Sequence, residues 1–288
     1  MAIKLEEKNS RYPQVLFEAQ VLKTIKGGKG IPDITWSGSS GDYECMVIEK
    51  LGPDLKKLKE KTLSKKFSLK TALMLADQII CRLEYIHGKG VIHRDIKPAN
   101  ICMGLDNFDA YLIDFGLSKF YFSEENGHIP LKSGKSLLGD HLFASISNHM
   151  GHELSRKDDL ESLIYMVLYL LTDNLPWWNM EYIKGSKSSN KKFEVIKRRF
   201  SSSKFWTSVP IYLDEYKEQM VQIPEQLWKV YDMITDLDFY EKPSYTIYRR
   251  ILKQIFVENN FQFDQIYDWE IQPTTNIEES QRCIDDID

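Results

Sequence analysis

The sequence predicts an α+β fold of two unequal parts, a small strand-rich front piece and a large, mainly helical back piece. Three observations predict it. Short β-like runs are confined to the first 50 residues and to one pair between 101 and 113. Beyond Gly52-Pro53, apolar residues recur at helical spacing in one segment after another. The 288 residues, 42% apolar and 28% charged, suffice for one two-lobed enzyme domain and exclude a disordered chain.

The elements follow in order. Residues 2–6 make a short β-like start. Val15, Leu16, Ala19, Leu22 and Ile25 predict a helix over 11–26, which Gly27-Gly28-Lys29-Gly30 breaks. Residues 34–36 and 43–49 read as two strands around a turn at Gly38-Ser39-Ser40-Gly41. Helices are then predicted over 54–62, 68–89, 156–173, 190–200, 224–236 and 244–258. The strand-like pair 101–103 and 110–113 interrupts them. The predicted organisation is a front lobe 1–50, a back lobe 51–270 and an acidic tail 271–288. That tail carries five acids (Glu278, Glu279, Asp285, Asp286, Asp288) against Arg282 alone.

Charge and cysteine usage bound the partners. Lys plus Arg total 38 and Asp plus Glu 42, a net −4 that makes no case for non-specific nucleic-acid binding. No apolar run approaches the roughly 18–20 residues of a membrane span, and the N-terminus lacks the apolar run of a signal peptide. A cytosolic or nuclear location is therefore expected. Cys45, Cys81, Cys102 and Cys283 show no CxxC spacing and are read as reduced thiols. None of the six histidines shows metal spacing. Between Lys184 and Lys204 stand eight bases and one acid, Glu194. This stretch, which includes Lys192, is either a solvated helix face or an acidic-substrate or anion patch.

The chemically informative segment is Ile92-His93-Arg94-Asp95-Ile96-Lys97-Pro98-Ala99-Asn100, with Asp114-Phe115-Gly116 following 19 residues after Asp95. Phosphoryl transfer needs a carboxylate to take or orient the proton of the attacking hydroxyl. It also needs an amide and a second carboxylate to hold metal ions, and a lysine to offset charge. Asp95, Asn100, Asp114 and Lys97 supply these groups in the order and spacing of the protein-kinase signature. In the front piece, Lys4 resembles the strand lysine that grips the α- and β-phosphates, and Glu18 on the next helix is placed to pair with it.

Further motifs narrow the resemblance. Gly28-Lys29-Gly30-Ile31-Pro32, Leu51-Gly52-Pro53, Phe67-Ser68-Leu69-Lys70-Thr71 and Glu84-Tyr85-Ile86-His87 stand in the first half. Ala144-Ser145-Ile146, Ser155-Arg156-Lys157-Asp158-Asp159-Leu160-Glu161-Ser162, Glu241-Lys242-Pro243-Ser244-Tyr245 and Tyr267-Asp268-Trp269 follow. With these, residues 1–270 resemble a casein kinase I family catalytic domain. The resemblance implies a bilobal protein-kinase-like fold with a truncated small β lobe, the cofactors ATP and Mg2+, and Ser/Thr substrates beside acidic or phosphorylated residues. It implies Ile48 as gatekeeper, hinge backbone near Glu49 and Leu51 bonding adenine, Asp159 anchoring the catalytic loop, and His93 as a packing residue. Trp177 and Trp178 are read as core and groove-wall residues. Acidic or phosphorylated proteins are the expected partners, and the chain is expected to act as a monomer without nucleic acid or membrane.

Three departures from the family's pattern stand out. The family carries a Gly-rich loop on two strands before the lysine strand, whereas this sequence starts at the lysine strand. A misplaced start or truncated gene is therefore expected, and weakened ATP binding if nothing precedes Met1. Neither Gly27-Gly28-Lys29-Gly30, a helix stop, nor Gly134-Lys135-Ser136 replaces that loop. Asp140 stands where the family has Thr; it is expected to pair with Lys97 and brings like charge near Asp95. Leu142 replaces an Arg of the family's anion pocket, which predicts a weaker preference for phosphorylated substrates. Two functions remain open at this point. One is an ATP-dependent serine/threonine kinase, which intact Asp95, Asn100 and Asp114 favour. The other is a weak or inactive kinase-like scaffold binding acidic partners through 184–204, which the departures favour.

Overall fold

The structure, a computed structural model, describes residues 1–175 and 223–270. The front piece is one antiparallel sheet and one helix. Strands β1 (Ala2–Glu7), β2 (Ile34–Ser40) and β3 (Tyr43–Ile48) order as β1-β3-β2, with helix α1 (Val15–Thr24) between β1 and β2 in sequence. Lys4 pairs with Met46, and Met46 pairs with Ser37, so these three share a sheet face. Met46 is fully buried with Val15, Ala19 and Leu22 of α1 in one core. No strand meets the outer edge of β1 among the described residues.

Helix α1 is shorter than the predicted 11–26. Pro13 disfavours helical backbone in the residue before it. Glu6 then reaches across from β1 and accepts the N–H groups of Gln14 and Val15 at 2.8 and 3.1 Å, so the helix starts there. Strand β2 runs on to Ser40, past the predicted end at 36. Gly38 and the two serines pair with β3, which leaves only Gly41-Asp42 for the turn. Gly41 sits at φ +55°, as so short a hairpin requires.

The back piece is mainly helical. Helix α2 (Leu55–Lys61) starts at Asp54, whose carboxylate accepts the Lys57 N–H at 2.9 Å. Helix α3 (Leu69–Gly88) is capped by Ser68, and Asp268 in turn binds the Ser68 N–H and hydroxyl at 2.6 and 2.7 Å. Helix α5 (Arg156–Thr172), after the one-turn α4 (Ile146–His149), packs on α3. Their facing side chains, among them Met74, Leu75, Ile79, Leu163, Val167 and Leu170, are buried. Each contributes about 1.5–3 kcal/mol through loss of apolar surface from water. Helices α6 (Glu225–Thr235) and α7 (Tyr245–Glu258) close the bundle.

Between α3 and α4 the chain forms short antiparallel pairs. These are β4 (Val91–Ile92) with β7 (Lys119–Phe120), β5 (Ile101–Met103) with β6 (Ala110–Leu112), and β8 (Phe122–Ser123) with β9 (Gly127–His128). Of these only the β5–β6 pair is predicted from sequence. The predicted helix 190–200, Trp177, Trp178 and the tail 271–288 lie outside the described residues. No described helix is long and apolar enough to cross a membrane.

Candidate active site

The loop after β4 is held from below. Asp159, in the first turn of α5 and 1% exposed, accepts the N–H groups of His93 and Arg94 at 2.8 and 2.7 Å. Arg94 has φ +70°, a left-handed conformation that costs a non-glycine residue about 1–2 kcal/mol. Its guanidinium bonds the Leu117 and Ser118 carbonyls at 2.7 and 3.1 Å, which helps to hold that turn. His93 is buried, its ring edge-on to Phe115 at 4.9 Å. The Asp95 N–H points to His93 Nδ1 at 3.2 Å, so Nδ1 accepts and Nε2–H donates to the Ile113 carbonyl at 3.0 Å. His93 is thus a neutral packing group.

The turn aims Asp95 at a cluster. Asp95 Oδ2 accepts Lys97 Nζ at 2.7 Å and Asn100 Nδ2 at 2.9 Å. Asn100 Nδ2 also donates to the Asp95 carbonyl at 2.9 Å, which fixes the amide with Oδ1 left as an oxygen ligand. Asp95 Oδ1 accepts the backbone N–H of Asp140 at 3.0 Å. The expected Lys97–Asp140 pair does not form. Lys97 is taken by Asp95, and the Asp140 carboxylate instead accepts the Leu142 N–H at 2.9 Å, closing its own turn. Leu142 itself is buried in the core. Gly139, at φ +73°, lies so close that a Cβ would sit 2.7 Å from Asp95 Oδ1.

Asp114 enters from the other side, after β6, at φ +64°. Lys4 Nζ bonds Glu18 Oε2 at 2.6 Å and Asp114 Oδ1 at 2.9 Å. Glu18 is 3% exposed, and its Oε1 accepts the Phe115 N–H at 3.1 Å. One carboxylate on α1 therefore holds both the strand lysine and the Asp114-Phe115-Gly116 turn. Partial burial alone would raise the Asp114 pKa; the Lys4 ammonium outweighs it and holds the carboxyl below its usual range. Burial would lower the Lys4 pKa, and Glu18 with Asp114 reverses this and raises it. Lys4 and Asp114 thus hold each other in the charged form, and side-chain oxygens face the site from two loops.

The front and back pieces join beside this cluster. Ile48, at the end of β3, and Leu51 are half-buried. The Glu49 N–H is used by the Asp33 carbonyl at 2.8 Å. The Leu51 N–H meets no backbone carbonyl among the described residues. Gly52 is pinned to the Met103 carbonyl at 2.8 Å, with no room for a Cβ. Thus Lys4, Glu18, Asp95, Lys97, Asn100 and Asp114 form bonded clusters, and Ile48, Glu49 and Leu51 lie at the junction. Lys192 and the basic stretch 184–204 lie outside the described residues. The Asp140 N–H and Gly139 both meet Asp95, contacts that sequence reasoning misses. A backbone N–H leaves no trace in residue type, and the only signal was a glycine within an exposed segment.

Such a cluster can orient a hydroxyl, neutralise a moving anion and hold a hard cation through Asn100 Oδ1 and the Asp114 carboxylate. Among comparisons with known families, the model for the protein kinase domain matches residues 1–256.

Proposed function

The chain belongs to the protein kinase family, and on that premise we propose that it is a serine/threonine kinase of casein kinase I type acting on acidic sites. The observation that carries the phosphoryl-transfer reading is the double engagement of Lys4 by Glu18 and Asp114. In protein kinases the lysine–glutamate pair and the second carboxylate must be in place together. Contacts between the motifs that carry the resemblance support the finer assignment. The Ser145 hydroxyl donates to Asp158 at 2.6 Å, and the Ile146 N–H donates to Glu161 at 2.8 Å. The Phe67 and Trp269 rings lie 5.2 Å apart.

In this reading Asp95 receives the substrate hydroxyl and takes its proton as the oxygen bonds the γ-phosphorus and the γ-phosphorus bond to the departing ADP breaks. Lys97, already beside Asp95, offsets the charge of the transferred group. Lys4 fixes the α- and β-phosphates, and Ile48, Glu49 and Leu51 line the adenine end. Asn100 Oδ1 and Asp114 fit Mg2+, which takes oxygen ligands and shares them with substrate phosphates. No cluster of three or more His, Cys, Asp or Glu forms a metal cage among the described residues, and Mg2+ bound with ATP needs none. Bound there, the ion would neutralise charge on the β- and γ-phosphates. Most of the rate enhancement then comes from positioning and fixed charge. Leu142, apolar and buried, offers no charge to a phosphorylated residue, so acidic sites are used without prior phosphorylation.

Transfer of γ-labelled phosphate to matched peptides tests this. Acid-flanked Ser and Thr peptides should be labelled and the Tyr version not, with phosphorylated and Asp-containing versions used within about threefold of each other. Labelling of tyrosine, or a strong preference for basic flanks, contradicts the assignment.

A further inference from the structure

Helix α7 reaches the loop that carries Asp95 through a buried chain of hydrogen bonds that phosphoryl transfer does not itself demand. Tyr245, the first residue of α7, is 3% exposed, and its hydroxyl lies 2.6 Å from His87 Nδ1. His87, in the last turn of α3, is equally buried, and its Nε2 lies 2.9 Å from Asp159 Oδ2. Asp159 accepts the N–H groups of His93 and Arg94, the two residues immediately before Asp95. Three side chains from three helices thus end on the backbone that aims the reacting carboxylate.

The proton positions follow from the chemistry of each group. Burial pushes the Asp159 pKa up, but the His87 bond and the backbone N–H donors outweigh it, so the carboxyl stays ionised. An ionised carboxylate only accepts, so His87 Nε2 carries the hydrogen. Burial pushes the His87 pKa down, so the ring is neutral and Nδ1 is a bare lone pair. The Tyr245 hydroxyl, which burial keeps protonated, therefore donates to Nδ1. Every bond runs the same way, from Tyr245 through His87 to Asp159. The opposite tautomer would face the carboxylate with a lone pair and lose the bond to Asp159, its Nδ1–H turning instead to the Tyr245 oxygen. The Tyr121 hydroxyl holds the same histidine from behind, donating to its carbonyl at 2.7 Å.

We infer that Tyr245 is a positioning residue: its hydroxyl holds the His87 ring, whose tautomer Asp159 sets, in line to donate to Asp159, and through Asp159 it sets the His93–Arg94 backbone that aims Asp95. The inference rests on the reading of Asp95 as the catalytic base. It assigns the Glu241–Tyr245 motif, remote from the cleft, a part in catalysis.

The test uses the full chain with Tyr245→Phe, which deletes one oxygen, and Tyr248→Phe as a control. Tyr248 is as buried and on the same helix but outside the chain of bonds. Tyr245→Phe should lower kcat about tenfold with KM for ATP and peptide within twofold, the signature of misaimed chemistry rather than weakened binding. Hydrogen exchange at the His93 and Arg94 amides should accelerate about tenfold in Tyr245→Phe and stay unchanged in Tyr248→Phe. In a His87→Leu background, adding Tyr245→Phe should cost no further kcat, because the two act through one bond. Nitrogen NMR should place the His87 hydrogen on Nε2. Unchanged exchange at both amides, an undiminished Tyr245→Phe loss in the His87→Leu background, or a hydrogen on Nδ1 overturns the inference. A wild-type chain that transfers no phosphate would refute the kinase reading alone, since exchange and the His87 spectrum decide the Tyr245 chain without activity. Should Tyr245→Phe fail to fold, a wild-type His87 spectrum with the hydrogen on Nδ1 still overturns it.

Discussion

Gly139→Ala is the perturbation that most directly probes the geometry around Asp95. An added Cβ would lie 2.7 Å from Asp95 Oδ1 and 3.0 Å from the Arg94 carbonyl, on backbone at φ +73°. Moving the first contact from 2.7 Å to an ordinary 3.4 Å requires about 0.7 Å of displacement. A misplacement of about 1 Å costs on the order of a hundredfold in rate, so kcat should fall roughly 30- to 100-fold. KM for ATP should stay within about twofold, because Lys4, Glu18 and Asp114 hold one another from the other side of the cleft. Gly134→Ala separates strain from collision. Gly134 has φ +77° with nothing within 4 Å, so it pays only the backbone cost of about 1–2 kcal/mol. Steady-state peptide phosphorylation with ATP varied, alongside thermal melting, reads both variants. Equal losses in the two variants, or a folded Gly139→Ala chain with kcat within threefold of wild type, would refute the reasoning.

Other consequences are open to simple measurement. Lys4→Met leaves Glu18 buried with one donor, from Phe115, and should abolish the thermal shift produced by ATP with Mg2+; a persisting shift would show that Lys4 does not hold nucleotide. Ser145→Ala removes the hydroxyl bonded to buried Asp158 and should cost about 1–3 kcal/mol in denaturant melts; a loss under 0.5 kcal/mol argues against that bond. Burial and then the neighbouring Asp158 push Glu161 up to about 7 from an ordinary 4.5. Folded protein then binds that proton more tightly than unfolded chain, so this stabilisation is complete below about pH 4.5 and lost as pH rises through about 7. Glu161→Gln, which keeps an acceptor for the Ile146 N–H and the Tyr165 hydroxyl, should gain up to about 3 kcal/mol over wild type at pH 8 and little at pH 4.5. A pH-independent difference would exclude an ionising Glu161.

The parts of this site readable from sequence are those whose members are neighbours in the chain. Asp95, Lys97 and Asn100 share one loop, so their spacing alone brings them together, and Asp114 follows the next short hairpin. Glu18 is readable because helical periodicity puts it beside buried Val15, Ala19 and Leu22. The long helices are legible through long apolar-rich runs, α3 and α5 being buried on nearly every side and α6 and α7 on one face. The two-residue strands β4, β7, β8 and β9 have no periodicity to read, and tertiary pairing alone makes them. The start of α1 is displaced by a carboxylate from another strand, Glu6, which local propensity cannot anticipate. Asp140 misled for a related reason. Its residue type suggests a partner for Lys97, while its backbone N–H makes the contact and its side chain turns to Leu142. Lys59 is the clearest case: a lysine in a charged run, yet 3% exposed, paired with Asp173 and lying over the Tyr169 ring at 4.2 Å.

Single-turnover phosphorylation of an acid-flanked serine peptide by wild type and Asp95→Asn, with ATP affinity measured on both, tests the arrangement most directly. Asn cannot take a proton yet keeps an acceptor for Lys97, so phosphoryl transfer should fall at least about a hundredfold while ATP binds within threefold of wild type. Transfer by Asp95→Asn at the wild-type rate, or none from wild type at saturating ATP and Mg2+, would contradict it.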